Sequence, residues 1–437
     1  MNLLEGWGRY PKLEAQVLLP LTIGQCAPRL RDAAAGGPLI ARGLGRAYGD
    51  SALAAQVMAT RQLDHFQSFD PATGLVRCAA GLPLDTLLRT FVPQGWFPPV
   101  TPGTRFVTVG GAVASDVHGK NHHLDGTFSG HVRELEILLG NGERVVASPS
   151  ENAELFHATC GGMGLTGVIL AATVQLKAVR SSDVIETTIK TPNLETTLEA
   201  FELHRDSTYS VAWIDCLARG ASLGRSLLML GEHAPDGALA VRTGGALPVP
   251  ADFPAGLLNR ASIQAFNALY YNRMWRRRAT RRIPFEPFFY PLDALKGWNR
   301  LYGKAGFVQY QFVLPKQAGV AALREVLAAI AGSGRGSFLA VLKTFGPANA
   351  NYLSFPIEGY TLALDFKVDP AVFALLDLLD RIVLRHGGRL YLAKDARMSA
   401  DTFKRSYPRW QEFEQVRARW HAHGHFASLQ SRRLGLL

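Results

Sequence analysis

Three glycine-rich segments, each followed by basic or imidazole side chains or by a β-rich run, are where this sequence could do chemistry. The first is Arg42-Gly-Leu-Gly-Arg-Ala-Tyr-Gly-Asp50, with glycines at 43, 45 and 49. Glycine lets consecutive N–H groups turn toward an anion and approach it closely, and Arg42 and Arg46 add positive charge. The second is Thr101-Pro-Gly-Thr104, followed by the run from Thr108 to His123. Small residues from Gly110 to Ser115 leave room for a ligand or a second backbone, and His118, Lys120, His122 and His123 come directly after. The third is Gly161-Gly-Met-Gly-Leu-Thr-Gly-Val-Ile169. Any one of these can be an ordinary tight turn. Three in one block describe a long pocket lined by backbone, suited to an extended dinucleotide. The spacing of His118 and His122 would suit a metal pair on a helix, but the neighbouring glycines disfavour a helix and no carboxylate motif accompanies them. No metal site is expected. The first loop also departs from the Rossmann fingerprint, because no helix pattern follows it.

The elements that must hold these loops alternate between strand and helix. Pro38–Arg42, Leu75–Ala80, Gly142–Ala147 and Val168–Leu176 read as strands. Leu84–Phe91, which follows Pro83, and Ala153–Thr159 read as short helices. The character changes near Arg180–Asp183. Beyond it Ser210–Asp215, Ser226–Leu230, Gln309–Leu314 and Gly359–Phe366 read as strands. Leu194–His204, Gln317–Ala331 and Val372–His386 read as amphipathic helices. Gly231–Pro254, rich in Gly, Pro and Ala, reads as a long surface loop. The mixture indicates an α+β chain of at least two large units.

Composition narrows the function classes. The chain has 437 residues, 47% hydrophobic and 19% charged, which fits a globular protein and not a disordered one. Four cysteines without metal-ligand spacing read as buried thiols in a reducing compartment. The N-terminus lacks a secretory pattern and no apolar stretch is long enough to span a bilayer. The net charge is +11, and more than half of that surplus lies in one run, Arg273-Met-Trp-Arg-Arg-Arg-Ala-Thr-Arg-Arg282. Tyr270, Tyr271 and Trp275 flank it. The run reads as a solvated basic face or as an interfacial patch, with arginines on lipid phosphates and aromatics at headgroup level. No nucleic-acid-binding fold accompanies it, and no nucleic-acid partner is expected.

The glycine blocks resemble the FAD-binding domain of the vanillyl-alcohol oxidase/p-cresol methylhydroxylase (PCMH) family, and the resemblance runs nearly end to end. Within that family the chain is similar to the oxidases of polyprenylphosphoryl-ribose. Trp298–Tyr302, Gln309–Phe312, Phe345-Gly-Pro347, Leu353–Pro356 and Tyr391-Leu-Ala-Lys-Asp-Ala-Arg397 carry that narrower likeness. The resemblance implies a two-subdomain PCMH-type FAD-binding domain over residues 1–182. An inserted antiparallel-sheet cap that binds substrate would span 183–388, and a C-terminal return to the FAD domain 389–437. It implies that Arg42, Gly43, Leu44, Gly45, Arg46, Ala47 and Tyr48 lie along the diphosphate. Thr104, Gly110, Gly111, Ser115, His118, Gly119 and Asn121 would follow the rest of the cofactor. Gly162, Gly167, Val168 and Ile169 would close over its adenine end. Many members of the wider family attach flavin to a histidine of the first loop. This loop has Arg46 and Ala47 there, so non-covalent FAD is expected.

For the reaction itself the resemblance points to Lys394, Gln311, Lys343, His118 and Tyr48. Removing a hydride from a carbinol carbon requires a proton acceptor and a group that stabilises negative charge. The Lys394 ammonium could face the flavin or hold the substrate oxygen. His118 could act as base, or could equally make a structural hydrogen bond. Lys120, Trp213, Arg276, Arg277 and Arg278 are assigned to substrate and membrane contact. Ala363 and Thr361 replace a cysteine and an asparagine found in other members, on the strand facing the flavin. The implied reaction oxidises the C2 hydroxyl of a polyprenylphosphoryl-β-D-ribose to the 2-keto sugar. A short-chain dehydrogenase/reductase partner would then complete epimerisation to the arabinose form. That chemistry places the protein in the cytoplasm, peripheral on the inner membrane. The alternatives are a soluble sugar or aldonolactone oxidase of the same superfamily, and a non-catalytic basic surface-binding protein.

Overall fold

Two small sheets carry the glycine loops in the computed structural model, which describes residues 1–242, 245–254, 256 and 258–436. In the first sheet Leu39–Arg42 and Lys12–Leu18 both run parallel to Gln56–Ala59, and Asn2–Glu5 pairs antiparallel outside them. The second sheet is antiparallel, in the order Phe66–Asp70, Leu75–Ala79, Val168–Gln175, Val132–Leu138, Arg144–Ala147. Helices Leu84–Phe91, Val109–Ala114 and Ala153–Thr159 cover it, burying Leu84, Leu87, Phe91, Val113 and Leu155 against Val76, Ile137 and Val174. Cys26, Cys78, Cys160 and Cys216 are buried free thiols.

From Asp183 onward the chain builds one eight-stranded antiparallel sheet. Its order is Arg278–Pro284, Asp183–Thr191, Ser226–His233, Tyr209–Ile214, Ala340–Phe345, Gly359–Lys367, Phe307–Pro315, Arg389–Leu390. Period-two alternation gives this sheet two chemically different faces. Ala212, Ile214, Leu342, Leu362, Leu364, Tyr310 and Phe312 pack under the helices Leu194–Leu203, Gly319–Ser333 and Pro370–Arg385. The alternate residues Val211, Val341, Lys343, Ala363, Gln309 and Gln311 point the other way, into a cavity. The helix starts are locally encoded. Asn193 caps the 194–203 helix with a capping box, and Asp369 caps the 370–385 helix just ahead of Pro370.

The last helices return to the first sheet. Leu39 pairs with Phe426, its N–H donates to the His425 carbonyl, and the Leu429 N–H donates to the Leu53 carbonyl. Arg417, fully buried, donates to the Leu165 and Phe426 carbonyls and pairs with Glu414.

Two readings from sequence change. The Ser226 strand extends to His233, and the segment read as loop contains a second strand, Leu247–Pro248, parallel to Leu295–Lys296. Thr243 and Gly244, in the same segment, lie outside the described residues. The basic run is partly an edge strand: Arg278–Pro284 pairs with Asp183–Ile189. Arg281 meets Glu186 there, and Arg282 meets Asp183 and Asp236. Arg276, Arg277 and Arg278 are exposed, and among the described residues no carboxylate pairs with them. Trp275 beside them is 96% exposed.

Candidate active site

The cavity, about 340 Å³, lies between the glycine loops and the alternate face of the large sheet. The loop after the Leu39–Arg42 strand forms one end. Gly43, Leu44, Gly45, Arg46 and Ala47 line the cavity, and none of their N–H groups finds an acceptor among the described residues. Five consecutive amides left without a partner fit a diphosphate, whose oxygens would supply the missing acceptors. Gly45 takes φ +65°, which favours glycine. The charge of Arg42 is directed elsewhere: its guanidinium donates to the Glu5 and Ala52 carbonyls. Arg46 stacks on Trp7, 4.0 Å from the ring centre.

Thr104, Gly110, Gly111, Ser115, His118, Gly119, Lys120, Gly167 and Ile169 also line the cavity. Asn121, Gly162, Val168 and Trp213 do not. Asn121 is buried and donates to the Pro99 carbonyl at 2.8 Å and to Asp125 at 2.6 Å. Gly162 lets the chain pass the Ala158 carbonyl, which a Cβ would overlap. Val168 belongs to the core with Leu39, Met58 and Leu138. Trp213 donates to the Phe338 carbonyl at 3.1 Å and packs on Tyr270. Met163 and Gly164 take the lining position that neighbouring Gly162 was expected to fill.

The opposite wall carries the polar groups. Gln311 Nε2 donates to His118 Nε2 at 3.0 Å and to Thr361 Oγ1 at 3.3 Å. The accepting Nε2 places the His118 proton on Nδ1, which is buried without a partner. Burial, reinforced by Lys343, His122 and Lys394, pushes the His118 pKa well below its ordinary value, so the ring is neutral. His122 faces away and accepts from the Gly346 N–H at 3.2 Å.

Lys394 sits in the turn after Arg389–Leu390. That turn is fixed by the Tyr391 N–H on the Gln311 carbonyl and by the Lys394 N–H on the Tyr391 carbonyl. Gly49 brings the first loop against the same turn, at a spot where a Cβ would overlap the Asp395 carbonyl oxygen. The neighbouring carboxylate of Asp395 is taken by Arg433 at 2.8 Å and by the N–H groups of Arg397 and Met398. Lys394 instead faces the cavity, its Nζ 3.8 Å from the Tyr48 ring centre. Burial lowers its pKa to about 7, Asp365 opposing and Lys343 adding to the effect. Asp365, pushed up to about 7 by burial, accepts from Gln309 at 2.5 Å and from Tyr302 at 3.4 Å.

Sequence reasoning missed Gln309, Asp365, Trp7, Val211, Val341, Phe289 and Leu292. One signal was present. Gln309 and Gln311 are two apart in an apolar strand, and two polar residues on one face of a buried strand must face something polar. Asp365 gave no such signal, since it meets Gln309 only through the pairing of the 307–315 and 359–367 strands.

Known proteins are similar to this chain in sequence. A family profile described as an FAD binding domain matches residues 15–148. Decaprenylphosphoryl-beta-D-ribose oxidase of Mycolicibacterium smegmatis is 40% identical, over 99% of this chain and 97% of its own. An uncharacterised protein of Streptomyces coelicolor is 34% identical over 81% of this chain and 100% of its own. Cytokinin dehydrogenase 9 of Oryza sativa subsp. japonica is 33% identical over 21% of this chain and 17% of its own, a match confined to a fraction of each protein. A profile match over the first two glycine loops and a similarity that runs the length of the chain agree with the unpartnered amides. This chain is an FAD-dependent oxidoreductase and belongs to the family that contains decaprenylphosphoryl-β-D-ribose oxidase.

Proposed function

We propose that the protein oxidises the C2 hydroxyl of a polyprenylphosphoryl-β-D-ribose to the 2-keto sugar. The observation that carries this reading is the end-to-end similarity to the mycobacterial oxidase, which covers the substrate-facing sheet as well as the FAD-binding loops. When bound, FAD supplies the two-electron oxidant. The Gly43–Ala47 amides would hold its diphosphate, and the lack of a histidine in this loop supports non-covalent binding.

The chain's own groups handle the proton and the orientation. Lys394, with a pKa near 7, is neutral often enough to accept the hydroxyl proton on Nζ and is matched to that task at neutral pH. His118 cannot take the proton at Nε2, which already accepts from Gln311. The His118–Gln311–Thr361 chain fixes the Gln311 carboxamide against the substrate side of the cavity. Ala363, directly opposite Gln311, leaves space there that a larger side chain would fill. Tyr48 closes the site beside Lys394, and its burial keeps the phenol protonated.

A ketone formed at C2 needs a reductase to become the arabinose epimer, and a short-chain dehydrogenase/reductase is the partner this reading requires. A lipid-linked substrate supports a peripheral position on the inner membrane, and this reading puts the protein on its cytoplasmic side. Among the described residues no helix is long and apolar enough to cross a membrane. The exposed Arg276, Arg277, Arg278 and Trp275 supply charge and an aromatic for peripheral contact.

The deciding experiment is anaerobic bleaching of the bound flavin by polyprenylphosphoryl-ribose against a panel of free sugars. Bleaching by the lipid-linked sugar alone is expected. Equal bleaching by free ribose or an aldonolactone would make the protein a soluble sugar oxidase. Purified protein that takes up no FAD would leave only a surface-binding role.

A further inference from the structure

A second group of lysines in the cavity is unexplained by FAD binding or by proton transfer. Lys343 lines the cavity, and among the described residues its ammonium has no hydrogen bond and no ion pair. Lys120 lines it too, donating only to the Phe288 carbonyl and lying 4.2 Å from the Phe288 ring centre. The fold sets the two side by side. The Ser210 N–H donates to the Lys120 carbonyl at 2.8 Å. Ala212 and Trp213 pair with Leu342 and Val341, so the same register brings Val211 next to Lys343.

Electrostatics makes the pair costly as it stands. Burial lowers Lys120 to about 7, with Glu186 opposing and Lys343 adding to the fall. Burial lowers Lys343 to about 8. Glu186 is already committed to Arg281. Two neighbouring half-buried ammonium groups on the cavity wall, with no carboxylate between them among the described residues, repel each other and favour an anion. Beside them lie Val211, Phe289 and Val341, an apolar wall.

We propose that Lys120 and Lys343 form a subsite for a phosphate carried on an isoprenoid chain, the phosphate taking both ammonium groups and the chain leaving along Val211, Phe289 and Val341. The assignment rests on the substrate reading above and adds to it. In a 1-phosphoryl ribose the phosphorus is separated from C2 only by C1 and one oxygen. Lys343 is close enough to Lys394 to depress its pKa, so a phosphate on Lys343 puts C2 near the proton acceptor.

The test is calorimetric titration of the FAD-loaded protein with farnesyl phosphate, farnesol and inorganic phosphate, for wild type, Lys120→Ala, Lys343→Ala and Lys343→Gln. The flavin absorbance spectrum of each variant reports an intact fold and cofactor. Farnesyl phosphate should bind wild type. Each variant should weaken it by about tenfold or more, as expected for loss of a charge-assisted bond to a buried anion, and leave farnesol unchanged. Variants that bind farnesyl phosphate as wild type does would overturn the subsite, as would a Lys343→Ala protein whose only change is a shifted flavin spectrum. Inorganic phosphate binding as tightly as farnesyl phosphate would overturn the isoprenoid part. Protein that passes these tests yet leaves polyprenylphosphoryl-ribose unoxidised would refute the proposed reaction and not the subsite.

Discussion

At the scale of single residues, the cavity is distinguished by what each polar atom has left to give. His118 is neutral, with Nε2 already accepting and Nδ1 enclosed, so in the proposed reaction its part is to orient Gln311. Lys394 is the proposed proton acceptor, and burial brings its charge change near neutral pH. Replacing it with Ala should retain the flavin spectrum and lower kcat/KM by roughly 10²- to 10⁴-fold, the usual range for a general base; unchanged turnover would remove Lys394 from the reaction. The pH profile carries a sign. Burial depresses the Lys394 pKa to about 7, so the neutral amine accumulates as pH rises through that value and kcat/KM should rise with it. Asp365 opposes the depression. Asp365→Asn should therefore lower the Lys394 pKa further and move the acid limb of the profile to lower pH. A limb that stays in place would show that Asp365 does not act on Lys394.

At the scale of elements, the site depends on where loops and strands are allowed to touch. Gly49 lets the first glycine loop press against the turn that carries Lys394. Gly49→Ala would overlap the Asp395 carbonyl oxygen, a backbone atom with no rotamer to yield. Overpacking of this kind costs about 1–3 kcal/mol, so the melting temperature should fall and flavin retention with it; a variant as stable as wild type would mean the turn moves freely. These relations explain how much could be read beforehand. The glycine loops were legible because small residues in a row have few other uses. The strands bearing Gln311 and Ala363 were legible from period-two alternation. The contact of Gln309 with Asp365 was not, because register between strands more than fifty residues apart is set by the whole sheet. The ion pairs of the basic run were not legible for a related reason. All six arginines are exposed, and pairing with the 183–191 strand sets Arg281 opposite Glu186 and Arg282 beside Asp183. Arg273, Arg276, Arg277 and Arg278 are exposed with no carboxylate partner among the described residues.

At the scale of the whole molecule, charge and connection between the two halves decide where the protein works and whether the cavity holds together. Of the six arginines between 273 and 282, Arg281 and Arg282 are paired with carboxylates, and the other four carry charge that no carboxylate among the described residues opposes. Arg276→Glu with Arg277→Glu should weaken binding to vesicles containing anionic lipid, more so at low salt, and leave binding to neutral vesicles alone; unchanged binding would refute a membrane role for that turn. The cavity itself has one half of its wall on the glycine loops and the other on the large sheet, so something must fasten the two. Asp116 does this. Buried, with φ +39°, it accepts from Asn349 at 2.7 Å, Asn351 at 2.9 Å and Ser354 at 2.6 Å on one oxygen, and from the Ser129 N–H at 3.2 Å on the other. Three of those donors belong to the segment joining the 340–345 and 359–367 strands, and the fourth to the FAD-binding half. Tyr391 adds a bond to the Ser115 carbonyl at 2.8 Å beside it. Asp116→Ala strips a shared acceptor from several buried donors at once. Each buried donor left without an acceptor costs about 1–3 kcal/mol. The loss falls on the join and not on either core, so flavin should dissociate at lower denaturant than the bulk of the secondary structure melts. Urea titration followed by flavin fluorescence and by far-UV circular dichroism separates the two events. Coincident transitions shifted together would mean the halves unfold as one unit and Asp116 is an ordinary core residue.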